Sequence, residues 1–145
     1  MSKQVYGNKF KNSLLQFLDE LIEQYPTYPT LVMVRIYIKD RVTPVQTIEK
    51  FVQEVLPYST FIVKRNELLF SELNVIYRSC FGAKKEKNIK NLKTLWINSD
   101  DENKNTIWRW FELFLSLSQK YHKKFMKDVD ISLLQSEIDK KYNLI

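Results

Sequence analysis

Apolar residues recur along the chain at spacings of three and four, which is the period of an amphipathic helix. The first such segment covers about residues 9–24, where acidic side chains take the opposite face and Pro26 and Pro29 end the pattern. Its apolar positions are Phe10, Leu14, Phe17, Leu18, Leu21, Ile22 and Tyr25. This spacing predicts a helix that buries one face.

The next segment, residues 31–38, is ambiguous. Its sequence, Leu-Val-Met-Val-Arg-Ile-Tyr-Ile, is rich in residues that favour strands. No second segment of comparable quality is available to pair with it, and a lone strand is unstable. We therefore predict a short, mostly buried helix that continues to about Asp40.

The third helix is marked by its beginning. Thr43 is a suitable N-cap, Pro44 fits the first helical turn, and Gln46 completes a Thr-x-x-Gln capping box. The helix ends at Pro57. Its apolar stripe is formed by Ile48, Phe51, Val52, Val55 and Leu56.

The middle of the chain is less regular. Residues 58–70 predict either one broken helix or two short helices that meet near Asn66. Helix continues over residues 73–81, and Gly82 suits a left-handed C-cap.

Three helices are predicted in the remainder. The first covers residues 84–97, and a Ser99-x-x-Glu102 capping box begins the second, which reaches about Phe125. Apolar side chains cover more than half of the circumference of the second helix, so we expect it to lie centrally. The last helix covers about residues 131–142, with Leu133, Leu134 and Ile138 apolar.

Together these elements predict an all-α fold, a compact bundle or orthogonal array of six to eight helices. We assign residues 1–145 to a single helical domain, with a core over about residues 8–125. The 145 residues are 44% hydrophobic, which is enough for a core without disulfides or metal. The chain has only two glycines, which leaves little room for hairpin turns or a phosphate-binding loop.

The residue types needed for catalysis or metal binding are scarce. One cysteine, Cys80, and one histidine, His122, cannot form a structural zinc site of the usual kind. We predict that Cys80 is a buried, inert thiol and that His122 is solvated at a helix end. The acidic run that begins at Asp100 lacks the glycine and the glutamate of an EF-hand loop. We expect no catalytic residue, no metal site and no cofactor, and hence a non-enzymatic protein.

Positive charge is concentrated in the second half of the chain. The net charge is +6, and residues 73–145 hold fourteen Lys and Arg against nine Asp and Glu. Two lysine clusters predict one of three surfaces: a solvated face, a single face for nucleic-acid phosphates where their helices pack side by side, or a contact with an acidic protein. The clusters are Lys84, Lys85, Lys87, Lys90 and Lys93, and Lys120, Lys123, Lys124 and Lys127.

Aromatic stacking platforms for bases are not evident beside these lysines. Trp96, Trp108 and Trp110 fall on core spacings, so we predict that they are packing residues.

Membrane association is not indicated by the sequence. No run approaches the roughly 18 apolar residues that span a bilayer. Residues 1–12 contain no apolar signal-peptide core. Residues 140–145 are basic and then apolar, but the segment is too short to anchor the chain. We expect a soluble, intracellular protein without membrane insertion.

Several blocks of the chain form a recognisable combination. The most specific are Leu-Lys-x-Leu-Trp and the Asn-Lys-x-x-Ile-Trp that follows it. The blocks lie at residues 17–22, 25–26, 56–58, 65–70, 92–96, 103–111 and 117–121. Over about residues 13–124 the chain resembles a family of small, uncharacterised helical proteins encoded by nucleocytoplasmic large DNA viruses of algae and protists. Asn66 departs from the expected acid, and the tail after Lys127 is peculiar to this chain.

The resemblance implies a place in the host cytoplasm, the viral factory or the virion, and it implies no activity. The polar residues within its blocks predict either capping and inter-helix hydrogen bonds or a partner-contacting patch. They are Arg65, Glu67, Asn103 and Lys104. We expect a protein-interaction protein that binds a viral or host protein, as a virion component, an assembly factor or a host-protein modulator. The alternative is a nucleic-acid-associated protein in viral transcription or genome packaging.

Overall fold

A computed structural model describes residues 1–144, and within that range it contains eight α-helices and no β-strand. Ile145, the last residue of the basic and apolar tail, lies outside the described residues. The predicted all-α fold is confirmed. The helices are α1 Lys3–Gln24, α2 Pro29–Arg41, α3 Pro44–Glu54, α4 Ser59–Val63, α5 Leu68–Ser71, α6 Glu86–Asn98, α7 Asp101–Phe125 and α8 Ile131–Lys141.

The two longest helices, α1 and α7, organise the packing. Helix α1 contacts α2, α3 and α7, and α7 also contacts α3 and α4. Helix α6 packs against α5 and α2, while α8 packs against α4 and the 3-10 turn Leu56–Tyr58. Helix α7 has the largest number of buried side chains of any element in the described chain.

The core is built largely from aromatic rings. Phe111 of α7 lies 5.8 Å from Phe17, 5.0 Å from Phe70 and 5.4 Å from Phe114 between ring centroids, each in an edge-to-face arrangement. Trp96 and Trp108 are buried in the same layer, as core spacing predicts. These rings join α1, α5, α6 and α7 in one layer.

The beginning of α3 follows the sequence prediction at atomic detail. The Thr43 side chain accepts a hydrogen bond from the Gln46 backbone nitrogen at 3.2 Å, and Oε1 of Gln46 accepts one from the Thr43 nitrogen at 2.9 Å. Both donors would otherwise lack partners at the helix terminus.

The predicted capping box at Ser99 is wrong, because α7 begins one residue later. Asp100 is the N-cap, and its Oδ1 accepts from the Asn103 nitrogen at 2.8 Å. The buried Ser99 hydroxyl donates to the carbonyl of Leu95 at 2.7 Å and lies 2.6 Å from Oη of Tyr25, which therefore donates to it. Ser99 closes α6 onto α1 and does not begin α7.

Two other element boundaries differ from the predictions. Helix α1 begins at Lys3 because the Ser2 hydroxyl caps it, accepting from the Val5 nitrogen at 3.2 Å. The segment predicted as helix over residues 73–81 contains a π-helical turn, Ile76–Cys80. Gly82 ends it with φ +68°, the predicted left-handed conformation.

The environment of His122 differs from the prediction, and the apolar residues named in the last helix are not its buried ones. His122 is partly buried, and its Nε2 donates to the Val129 carbonyl at 2.8 Å, so it is not a freely solvated helix-end residue. In α8, Leu133 and Leu134 are exposed, and the buried positions are Ile131 and Asp139. Helices α4 and α5 are the two short helices predicted on either side of Asn66.

Replacing Asp100 with Ala should lower the free energy of unfolding by about 1 kcal/mol, because the Asn103 nitrogen loses its cap. Glu102→Ala is the control and should change it by less than about 0.5 kcal/mol. Urea unfolding of both variants measures the difference. If the Glu102 variant were the less stable one, the Ser99 capping box would be the correct assignment.

Candidate functional site

Helix α2 carries apolar residues on two sides, and only one side faces the core. Leu31, Val34 and Ile38 are buried against the rest of the protein at spacings of three and four residues. This inward stripe, with Pro29 in the first turn, makes the segment a helix despite its strand-forming residues. The prediction of a helix here is confirmed, but the prediction that it is mostly buried is wrong, because only these three of residues 31–38 are buried.

The opposite side of α2 is an exposed apolar surface. Val32, Met33, Ile36 and Tyr37 are 44%, 57%, 55% and 37% exposed, and we call these four residues the outer α2 face. Elsewhere in residues 1–144, no helix exposes more than two large apolar side chains. Apolar clusters of this kind on a protein surface mark interaction sites.

One edge of the outer α2 face is formed by α1, which runs antiparallel to α2. The guanidinium of Arg35 pairs with the carboxylate of Asp19, with Nε to Oδ1 at 2.5 Å and Nη2 to Oδ2 at 3.2 Å. Nearer the end of α2, Nζ of Lys11 donates to the carbonyl of Lys39 at 3.0 Å. Arg35, the single polar residue of the segment, is thereby held at the edge and away from the apolar surface.

Both ends of the outer α2 face carry positive charge. At the beginning of α2, Pro29 and Thr30 line a groove of about 350 Å³ together with Lys87 and Lys90 of α6. At the other end, Asp40 continues the exposed side of the helix one turn after Ile36. Exposed Lys39 and Arg41 flank Asp40, so the exposed apolar surface has basic residues at both ends.

A cavity of about 480 Å³ adjoins the face where Tyr37 lies at its rim. Its walls come from the second half of α2, from α3 and from the π-helical turn. Two basic residues, Arg41 and Lys50, and two acidic ones, Glu49 and Glu54, line it, so its formal charges balance, and Cys80 lies in the wall. The cavity gives the apolar surface a depression on one side.

Burial raises the pKa of the Cys80 thiol to about 12, and the positive charge of nearby Lys50 opposes that shift only in part. The prediction of a buried cysteine is confirmed. The thiol is protonated at neutral pH, whereas the thiolate is the nucleophilic form.

Cys80 should not react with Ellman's reagent in the folded protein at pH 8, and it should react fully in urea. The contribution of this thiol to stability is present below its unfolded pKa and is lost as the pH rises toward 12. Absorbance at neutral and alkaline pH measures the labelled fraction. Rapid labelling of the native chain at pH 8 would contradict the burial.

A glycine holds Tyr37 in place. Gly82 approaches the ring so closely that a Cβ atom there would lie 2.4 Å from Cε2 of Tyr37. Because Gly82 also has a positive φ, it is the residue that fits both requirements. Tyr37 is thus packed against backbone on one side while its other side is exposed.

The two predicted lysine clusters are not brought together. Lys124 donates to the carbonyl of Met1, just before α1, whereas Lys87 and Lys90 lie beside Pro29, after the end of α1. Helix α1 has 22 residues, so these parts of the clusters are about 30 Å apart. The other members are Lys84 and Lys85 before α6, Lys93 in α6, Lys120 and Lys123 in α7, and Lys127 after it.

Three of the four predicted patch residues come together and pair within the chain. Arg65 lies between α4 and α5 with φ 48°, and its guanidinium contacts both carboxylate oxygens of Glu112 at 3.1 Å and Asn105 at 2.7 Å. Lys104 pairs with Glu67 at 3.0 Å. These contacts fasten the α4–α5 connection to α7.

The fourth residue, Asn103, lies apart from those pairs. It lines a groove of about 380 Å³ with Trp110 and Glu20, where the Trp110 indole donates to Glu20 at 2.7 Å. The four residues therefore do not form one surface.

Arg65→Ala and Glu112→Ala should show a coupling energy of about 0.5 to 1 kcal/mol in a double-mutant cycle, because the two groups form a two-point contact that is only partly exposed. Unfolding in urea gives the four free energies. Lys123→Ala removes an exposed charge of the same helix about 16 Å further along its axis; it is the control and should not couple to Glu112. Zero coupling would show that Arg65 does not fasten the connection.

The outer α2 face is the candidate site that sequence reasoning missed. The sequence does contain a sign of this face. Residues 31–38 include only one polar residue, Arg35, whereas a helix that buries a single stripe needs apolar residues at only about half of its positions. Periodicity alone does not show which of two apolar sides is covered.

Comparisons with known proteins provide no information about this site. No protein-family model, no curated protein and no solved structure matches this chain. Within residues 1–144, no three His, Cys, Asp or Glu side chains are grouped as metal ligands. No helix in that part of the chain has both the length and the apolar composition needed to cross a bilayer.

Proposed function

We propose that this chain is a non-enzymatic protein-interaction protein and that the outer α2 face is its binding surface. The observation that supports this proposal is the exposure of Val32, Met33, Ile36 and Tyr37 side by side on one helix. Leaving such a surface in water is unfavourable, and covering it with a partner removes apolar area from water.

The other candidate surfaces provide weaker support. The side chains of Arg65, Glu67 and Lys104 already have partners within the chain. Lys93 donates to the carbonyl of Glu72 at 2.9 Å, so it too is engaged. The outer α2 face, in contrast, is apolar and exposed to solvent, so it is the surface that a partner would stabilise by covering it.

The biological setting that we propose is a large DNA virus. It is supported by the sequence blocks quoted above, chiefly Leu-Lys-x-Leu-Trp and Asn-Lys-x-x-Ile-Trp. In that setting the chain acts as a virion component, an assembly factor or a modulator of a host protein, in the host cytoplasm, the viral factory or the virion. The alternative role in nucleic-acid binding stays a prediction, and the separation of Lys87 and Lys90 from Lys124 does not favour it.

A photo-crosslinking amino acid tests the proposed surface. Benzoylphenylalanine replaces Met33 in one variant and Leu113 in another, and the proteins are irradiated in the cell that naturally makes them. Leu113 is the matched control because it is an exposed apolar residue that stands alone on α7. We expect a discrete covalent adduct from position 33, absent from position 113, with the adduct lost when Ile36→Glu is added.

Mass spectrometry then identifies the protein in the adduct. The absence of an adduct at position 33, or equal adducts at both positions, would overturn the assignment of the outer α2 face as a binding surface.

A further inference from the structure

We infer that the groove between the beginning of α2 and α6 binds a phosphate monoester, carried on a phosphorylated side chain of the protein that covers the outer α2 face. This inference rests on the proposed function, since it names a chemical feature of the same partner. The groove is lined by Pro29 and Thr30 of α2 and by polar and basic residues from the first turns of α6.

The first argument is a buried hydroxyl that has no partner. Thr30 is 7% exposed and lines the groove, and within residues 1–144 its hydroxyl makes no hydrogen bond. Buried polar side chains are ordinarily hydrogen-bonded. An unpaired hydroxyl beside a groove therefore favours a ligand that accepts its proton.

The second argument is the beginning of α2, which lies at the same place. Tyr28 is the N-cap but its side chain caps no N–H group, and Pro29 has no N–H. The Leu31 nitrogen donates to the Tyr28 carbonyl at 3.1 Å, whereas the Thr30 nitrogen has no backbone partner in the described chain. Thr30 thus provides both an N–H and an O–H donor at the positive end of the helix dipole, which favours an anion.

The third argument is the charge of the groove. Lys87 and Lys90 line it, and no acidic residue of the described chain does, since Glu86 at the beginning of α6 lies outside the lining. Neither lysine forms an ion pair within residues 1–144. A phosphate monoester matches two lysines with its double charge and accepts hydrogen bonds through three oxygens, whereas a carboxylate has one charge and two oxygens.

The neighbouring surface indicates that a protein carries the phosphate. Pro29 lines the groove, and Val32 and Met33 follow one turn later on the same side of α2. A partner with its phosphate in the groove therefore places the adjacent apolar side chains on the outer α2 face. Exposed Lys39 and Arg41 at the other end also complement an acidic partner. Among the described residues, those that line the groove include no aromatic ring on which a base could stack.

NMR titration of the full chain with inorganic phosphate, at constant ionic strength, tests the groove itself. The amide signals of Thr30 and of the groove residues of α6 should shift together, with a dissociation constant of about 0.1 to 5 mM. Lys87→Gln/Lys90→Gln should weaken binding by about tenfold or more, because the charge-assisted contacts are lost. Lys123→Gln/Lys127→Gln makes the same charge change in the other cluster and should leave binding unchanged.

Two matched threonine variants test the unpaired hydroxyl. Thr30→Val should weaken phosphate binding by about fivefold or more, because a donor to the anion is lost. Thr94 also lines the groove, but its hydroxyl already donates to the Lys90 carbonyl at 2.9 Å. Thr94→Val should therefore change the dissociation constant by less than about twofold. No saturable binding up to about 20 mM phosphate, or equal effects of the two variants, would overturn the assignment of the groove.

A degenerate peptide library tests the carrier. Each peptide has one phosphoserine between flanks of about four randomised residues, which span about 13 Å when extended, and a matched library has serine instead. The wild type should retain the phosphoserine library preferentially and enrich apolar residues on one side of the phosphoserine. Ile36→Glu should lose the apolar enrichment and keep the preference for phosphoserine. Lys87→Gln/Lys90→Gln should lose that preference.

Two results would overturn the protein as carrier: equal retention of the two libraries, or tighter binding of adenosine monophosphate than of N-acetyl-phosphoserine amide in the NMR titration. Failure of the proposed function gives a different pattern. If phosphate binds in the groove but position 33 gives no specific adduct, the anion site stays and the outer α2 face is excluded. If position 33 gives the adduct but neither phosphate nor the phosphoserine library binds, the binding surface stays and the phosphate site is excluded.

Discussion

Edge-to-face packing of Phe111 against Phe17 and Phe70 is the contact on which the rest of the structure depends. It joins α7 to α1 and to α5, whose residues are 94 and 41 positions away in the sequence. Short helices such as α5 have little stability of their own, so they rely on such tertiary contacts. The π-helical turn is tied in the same way, since Oη of Tyr77 donates to the Phe70 carbonyl at 2.5 Å. The aromatic layer therefore holds in place the irregular middle of the chain.

This arrangement explains why some apolar residues of α2 are not needed in the core. The centre of the protein is filled by rings from α1, α3, α5, α6 and α7, and α2 adds only the stripe of Leu31, Val34 and Ile38. Neither the fold nor the ion pair of Arg35 with Asp19 requires Met33 or Ile36 to be apolar. A polar substitution at either position would leave every described contact of the core in place. The outer α2 face is thus separable from folding, which is the property expected of a binding surface.

A structural feature can be predicted from the sequence when the residues that form it lie close together along the chain. The Thr43 capping box is predictable because all its partners lie within three residues. At Ser99 and Asp100 the sequence offers two adjacent capping residues, and the contact of Ser99 with Tyr25, 74 residues away, is not visible in the local pattern. Arg65 is similar, since its partner Glu112 is 47 residues away. The all-α fold follows from periodicity, whereas the exposed side of α2 depends on which neighbours cover the other side, and that is set by the assembled protein.

The close approach of Gly82 to Tyr37 has a consequence for association. A side chain that becomes fixed on binding loses rotational freedom, and that loss opposes complex formation by about 0.5 to 1.5 kcal/mol for a flexible residue. The ring of Tyr37 already packs against the backbone at Gly82 on one side, while it lines the cavity on another. Tyr37 therefore has less rotational freedom to lose on binding than a side chain without such a contact, so a partner that covers it meets a smaller entropic cost there.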